Sequence, residues 1–279
     1  MRAVAERIPV VVQRDPRGRR LAARGLWTGA ELVMTLGVVL LLLVAHQLWW
    51  TNRQARADAS RTVRSLERDW GEGEREGAGV PGPPSPGAAP AEDSPAAGGS
   101  PAANGGAPRK PAARAPRHDQ AYAVLRIPRI GLTAPVAEGI GKRGVLDKGY
   151  VGHYPRTAQP GGSGNFALAG HRNTHGEPFR YINRLRSGDR ITVETRDAVY
   201  TYTVDKTLDR TAPGDSGVVA AVPRSNIEPY AGYRTAGSYL TLTTCTPEFT
   251  SRYRLVVWGK LTGVRGGAEH RAAGPSKVP

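Results

Sequence analysis

Cysteine is nearly absent from this sequence: Cys245 stands alone among 279 residues. No disulfide can therefore join one part of the chain to another, and the fold must rest on an ordinary hydrophobic core. Acidic residues are also scarce, 24 against 39 lysines and arginines, which leaves a formal net charge of +15. Such an excess favours an anionic neighbour, whether nucleic acid, anionic lipid or an anionic wall polymer. Much of that charge lies outside the segment that can form a domain, so membrane and wall electrostatics is the first reading and no nucleic-acid partner is expected.

Long apolar runs are absent except at one place. After an arginine-rich stretch, residues 1–25, Leu26 to Trp50 reads LWTGAELVMTLGVVLLLLVAHQLWW, with Glu31 near its start. A helix needs about 20 mostly apolar residues to cross the hydrocarbon core. The strongest part, Leu32 to Ala45, has the length of a signal-peptide core, but no A-x-A-like cleavage site follows it. Trp49 and Trp50 suit the interfacial belt of a helix that is retained. The span 26–50 is thus expected to cross the membrane once. Arg2, Arg7, Arg14, Arg17, Arg19, Arg20 and Arg24 precede it, which favours a cytoplasmic N-terminus and an extracellular remainder.

Residues 51–120 are expected to form an extracellular linker. From Gly71 to Gln120 the composition is dominated by Pro, Gly, Ala and Ser, with almost nothing to bury, which predicts disorder. The composition changes at Ala121. Short alternating or apolar runs follow: AYAVLRIPRIGLTAPVAEG, GNFALAGHR, DRITVETRDAVYTYTVDKTL with a turn at Arg196-Asp197, GSYLTLTTC and RYRLVVWGKLTGV. Spaced short strands with little helix predict an all-β sandwich or barrel over residues 121–264. Residues 265–279 are expected to be a disordered tail.

Within Ser238–Cys245, strand alternation puts Leu240 and Leu242 on one face and Tyr239, Thr241, Thr243 and Cys245 on the other. The two leucines suit the core, and Pro247 ends the strand, so Cys245 falls at a rim. A free cysteine is often just a small buried hydrophobe; a reactive one needs a cationic or basic partner. The next strand presents Arg252 and Arg254 on one face and Tyr253, Leu255 and Val257 on the other. Arginine cannot act as a base, but it can hold a carbonyl or an oxyanion. Of six histidines, His46, His118 and His270 lie outside the domain, leaving His153, His171 and His175. His171 closes an apolar strand directly after Gly170, where the backbone can approach closely. His171 and His175 have an H-x-x-x-H spacing, but Gly176 points to a loop, and no Glu or Cys stands beside them, so no metal site is expected.

FALAGHR, TLTTC and RLVVWG, in that order, resemble the signature segments of the sortases, cysteine transpeptidases of Gram-positive cell surfaces. The family pattern T-L-x-T-C falls on Thr241–Cys245, the histidine on His171 and the arginine on Arg254. The resemblance covers residues 121–264, and the membrane span and linker suit it. It implies an eight-stranded β-barrel with short helices and a reaction needing no cofactor. Cys245 would be the nucleophile, His171 the acid–base group and Arg254 the oxyanion or backbone holder, with Thr243 and Thr244 beside the substrate. The implied partners are secreted proteins with an LPXTG- or LAXTG-type C-terminal sorting signal and an amine of a peptidoglycan precursor (lipid II). The connection from Asp209 to Gly237 would help form the groove for the signal. Gly71–Gln120 lacks the Asp-Pro-aromatic lid motif of many pilus-assembling members. Together with TLTTCTP and the Ala/Gly/Pro/Arg-rich composition, this resembles class E sortases of high-GC actinobacteria.

Alternatives remain. A tethered, non-catalytic β domain adhering to wall polymer would leave Cys245, His171 and Arg254 without a shared role, and a pilin-polymerising sortase would use the same site. An L,D-transpeptidase would carry S-H-G-C, whereas Thr244 precedes Cys245 here.

Overall fold

A computed structural model describes residues 16–77 and 116–267. The chain divides into two units, Met1–Trp50 and Thr51–Pro279. The second contains a closed eight-stranded barrel: β1 (Ala121–Ile127), β2 (Leu132–Glu138), β3 (Val151–His153), β4 (Gly164–Ala169), β5 (Arg190–Glu194), β6 (Ala198–Thr211), β7 (Ser238–Thr246) and β8 (Tyr253–Gly266). Around the barrel the order is β1-β2-β3-β4-β7-β8-β6-β5. The pairs β2–β3 and β4–β7 are parallel, and the remaining pairs are antiparallel.

The alternation visible in the sequence is the alternation of the wall. Leu125, Ile127, Phe166, Leu168, Ile191, Val193, Leu240, Leu242, Leu255 and Val257 point inward and form one buried cluster. Their neighbours point outward. On β7 and β8 the outward residues Tyr239, Val256 and Trp258 are buried too, under Val218 and Tyr233 from the β6–β7 connection. That connection is pinned by Asp215, whose carboxylate accepts hydrogen bonds from Thr211 Oγ1 (2.6 Å), Ser225 Oγ (2.5 Å) and the Asn226 amide (2.9 Å). Burial alone would raise its pKa, but these donors outweigh burial and hold it below the usual carboxylate value.

The first unit contributes an apolar helix. Helix α1 runs from Pro16 to Gly77. Its segment from Leu26 to Trp50 leaves leucines, valines and tryptophans exposed, and an 18-residue window of it reaches a mean hydropathy of 2.2. It is long and apolar enough to cross a membrane.

The linker expected from residue 51 needs correction. Residues 51–77 are helical, and in the second unit they pack on the barrel. Ala55, Ala59, Val63, Leu66 and Trp70 recur at helical spacing, and Val63 and Trp70 are buried with Val124 of β1. Arg126 pairs with Glu67, and the Thr62 and Tyr150 hydroxyls lie 2.7 Å apart. Low overall hydropathy hid a single narrow apolar stripe. At the other end, β8 extends two residues past the expected boundary, to Gly266. The remainder of the expected linker (78–115), most of the tail (268–279) and residues 1–15 lie outside the described residues.

Candidate active site

The site is assembled by strand register on the outer wall of the barrel. On one side of β7, antiparallel pairing sets Cys245 directly opposite Arg254 of β8. Directly opposed residues of such a pair bring their Cβ atoms to about 4.5–5.5 Å. Leu255 and Val257 point into the core, so Arg254 and Cys245 share the outward face. Arg254 donates from its guanidinium to the Ser251 and Tyr253 carbonyls, both at 3.0 Å, which holds the guanidinium at the lip of the β7–β8 turn. Arg252, by contrast, is exposed and sits over the Tyr253 ring, 5.3 Å from its centre.

On the other side of β7 the pairing is parallel, with Ala169 level with Thr243. Two residues on, β4's continuation reaches His171 and β7 reaches Cys245. The pairing persists past the strand end: the Gly170 amide donates to Thr243 O (3.2 Å) and Thr244 Oγ1 donates to Gly170 O (2.7 Å). A Cβ on Gly170 would lie 2.7 Å from the Phe179 ring, so only glycine lets this ring pack beneath the histidine. Cys245 is half-buried, with Arg254 opposite it on β8 and His171 on the segment that continues β4.

Thr243 and Thr244 fall beside this site, but both are buried and their hydroxyls are committed within the barrel. Thr243 bonds Leu168 O (3.2 Å) and the Tyr154 hydroxyl (3.0 Å), and Thr244 bonds Gly170 O. These hydroxyls tie β7 to β4 and to the segments that follow β3 and β4.

Two residues absent from the sequence reading also support the site. Asp147, on a 3-10 turn (Leu146–Lys148), lies with Oδ1 2.9 Å from His171 Nε2. Arg172, buried, donates to Cys245 O (3.3 Å) and Thr246 Oγ1 (2.9 Å), tying the histidine's neighbour to the cysteine's own backbone. Neither sits in a motif; only tertiary folding brings them in. Asp147 is separated from His171 by the whole of β3 and β4.

The other histidines of the domain divide. His153 is buried and fully engaged: Nδ1 lies 2.7 Å from Glu138 Oε2 and 3.0 Å from the Tyr122 hydroxyl, and Nε2 lies 2.9 Å from Thr157 Oγ1 and 3.1 Å from Ala158 O. Burial, with Glu138 nearby, pushes the Tyr122 hydroxyl well above its ordinary pKa and keeps it a neutral donor. His153 thus braces the barrel. His175 lies against the site, its ring stacked on that of His171 at 5.3 Å between centres.

The loop carrying His171 and His175 is gripped by α1. Asn52 donates to Glu177 Oε1 (2.8 Å) and accepts from the Gly176 amide (3.2 Å). Arg56 donates to Gly176 O (3.2 Å) and Glu177 Oε2 (3.0 Å). Gly149, two residues after Asp147, has φ +78°, and a Cβ there would lie 2.9 Å from Ala55 O and 3.1 Å from His175 O. Helix, turn and loop converge at that glycine.

A closed barrel that presents an outward cysteine opposite an arginine, with a histidine on the segment continuing the next strand, has the layout of a cysteine transpeptidase fold. The comparisons agree: the sortase domain model matches residues 125–262. The chain is 41% identical to Sortase SrtE1 of Streptomyces coelicolor over 92% of its own length and 63% of that protein, so it spans less than two thirds of that relative. It is 32% identical to Sortase SrtE2 of the same organism over 88% of its own length and 87% of that protein. The crystal structure of sortase E1 from Streptomyces coelicolor, which holds a tripeptide in its active site, superposes with a TM-score of 0.52 at 47% identity, covering 58% of this chain and 98% of that one. The chain belongs to the sortase family, and among its members it is most like those of class E.

Proposed function

We propose that the chain is a membrane-anchored transpeptidase that attaches secreted proteins to the cell wall through a C-terminal sorting signal of the LAXTG or LPXTG type. The observation that carries this reading is the register that flanks Cys245 with His171 on β4's continuation and Arg254 on β8. Cys245, as thiolate, adds to the threonine carbonyl of the signal, and Arg254 holds the oxyanion that forms. When the tetrahedral species collapses, the C–N bond breaks and His171 gives its proton to the departing amine, leaving a thioacyl enzyme. An amine of a peptidoglycan precursor then loses a proton to His171, attacks the thioester and expels the Cys245 thiolate. Asp147 orients the imidazole, and Arg172 fixes the backbone under the nucleophile. The β6–β7 connection packed outside β7 and β8 supplies one wall of the groove for the signal.

Residues 26–50 would anchor the chain, with the arginine-rich N-terminus in the cytoplasm and the barrel outside. The test is adduct formation: the full chain in detergent, incubated with a panel of LAXTG and LPXTG peptides, should gain by mass spectrometry the mass of the acyl fragment. The Cys245→Ala chain should gain nothing. No adduct with any peptide of the panel would sink the reading.

A further inference from the structure

Three ligand-bearing atoms, on Asp147, His171 and His175, all lie within 4.8 Å of one another. Asp147 Oδ1 is 2.9 Å from His171 Nε2 and 3.7 Å from His175 Nδ1. Neighbouring ligand atoms around a tetrahedral zinc ion with bonds of about 2.0–2.1 Å are separated by roughly 3.3 Å. The two carboxylate–imidazole separations therefore bracket the edge of such a polyhedron before any ion is added.

A second observation points the same way. His175 Nδ1 is sealed from solvent and makes no hydrogen bond among the described residues. A buried ring nitrogen without a partner carries a desolvation cost. His175 nonetheless holds this position with a left-handed backbone, φ 52°, uncommon for a residue with a side chain though better tolerated by histidine than by most, and its surroundings fix it there. Those surroundings are the grip of α1 on Gly176 and Glu177 and the close packing of Gly149 against the His175 carbonyl. The scaffold thus holds a spare imidazole nitrogen against the carboxylate that orients His171.

We infer that Asp147, His171 and His175 form a site for a borderline divalent metal ion such as zinc, and that occupancy withdraws His171 from acid–base chemistry. Two imidazoles and one carboxylate suit such an ion, with the remaining position left to water. Coordination requires His171 Nε2 to give up any proton it carries to solvent and to leave its hydrogen bond with Asp147. The imidazole is then fixed to the metal and cannot pass a proton to the departing amine. The sequence left this pair of histidines without an acidic ligand because Asp147 precedes them by the length of two strands. The ion's inhibitory effect rests on the transpeptidase reading; the binding site does not.

The test separates the two. Zinc is titrated calorimetrically into the full chain carrying Cys245→Ala, which removes the thiolate as a competing ligand. One ion should bind per chain, and adding His175→Ala should weaken binding at least tenfold. In parallel, zinc should suppress peptide adduct formation by the unmodified chain, a chelator should restore it, and the His175→Ala chain, each rate taken relative to its own zinc-free rate, should need at least tenfold more zinc for the same suppression. Asp147→Asn on the Cys245→Ala background checks the carboxylate ligand and should also weaken binding. Binding that ignores both substitutions, or no binding, overturns the site. Binding without loss of adduct formation overturns the withdrawal of His171. A chain that forms no adduct even without zinc counts against the transpeptidase reading alone, and the calorimetry still decides the site.

Discussion

At the scale of single residues, the two arginines near Cys245 are told apart by strand position. Arg254 is the direct cross-strand neighbour of Cys245 on the outward face, while Arg252 precedes β8 and rests on Tyr253. Removing one donor to a developing oxyanion costs about 10²–10³ in rate. Arg254→Ala should therefore lower the adduct-forming rate by about that factor, mostly in kcat. Arg252→Ala, at an exposed position, should change it by only about twofold. Equal losses for the two variants in single-turnover measurements would show that register does not select between them.

Secondary-structure elements act on the site through the loop between β4 and the turn at Ile182–Arg184. This loop carries His171 and His175, and its far end is anchored by Glu177, which is buried among Asn52, Arg56 and Arg180. The Arg180 guanidinium is held above its ordinary pKa chiefly by its hydrogen bond to Glu177. Residues 52 and 56 of helix α1 thus position the loop that carries His171 and His175. Small misplacements of a catalytic group cost large factors in rate. The double variant Asn52→Ala, Arg56→Ala should keep the barrel folded, because neither residue enters its core. It should slow adduct formation by about three- to tenfold while peptide affinity moves less. An unchanged rate with an unchanged melting temperature would mean that the helix only covers the barrel.

For the molecule as a whole, the chain combines a closed barrel with a helical segment whose apolar side chains are exposed among the described residues. A closed sheet has no free edge to recruit another strand. An arginine near the centre of a membrane helix costs about 2.5–3.5 kcal/mol on insertion scales. Leu40→Arg together with Leu42→Arg should move the protein from the membrane pellet to the soluble fraction. Reaction with a soluble peptide should persist, since the site lies in the other unit. Retention in the pellet after both changes would argue against residues 26–50 as the anchor.

Local chemistry made much of this legible from the sequence. Period-two alternation in RITVE, YTYTV and YLTL set which residues face inward, because successive side chains of a pleated strand point to opposite faces. The strand break before Pro247 placed Cys245 at a rim, and Gly170 marked a close approach that proved to be the Phe179 ring. The three-residue strand β3 went unread because it is too short to show a period. The helical stripe from Ala55 to Trp70 was masked by the charged residues around it. Asp147 and Arg172 carry no local signal at all. The barrel's inward face and the apolar span could be read along the chain, since each depends on neighbours within a few residues, and motif order named Cys245, His171 and Arg254 as candidates. Folding was needed to set Arg254 opposite Cys245, to bring Asp147 and His175 against His171, and to let α1 hold their loop. Those relations depend on register between strands and on packing between segments about 25 to 125 residues apart, distances over which a linear pattern carries no geometry.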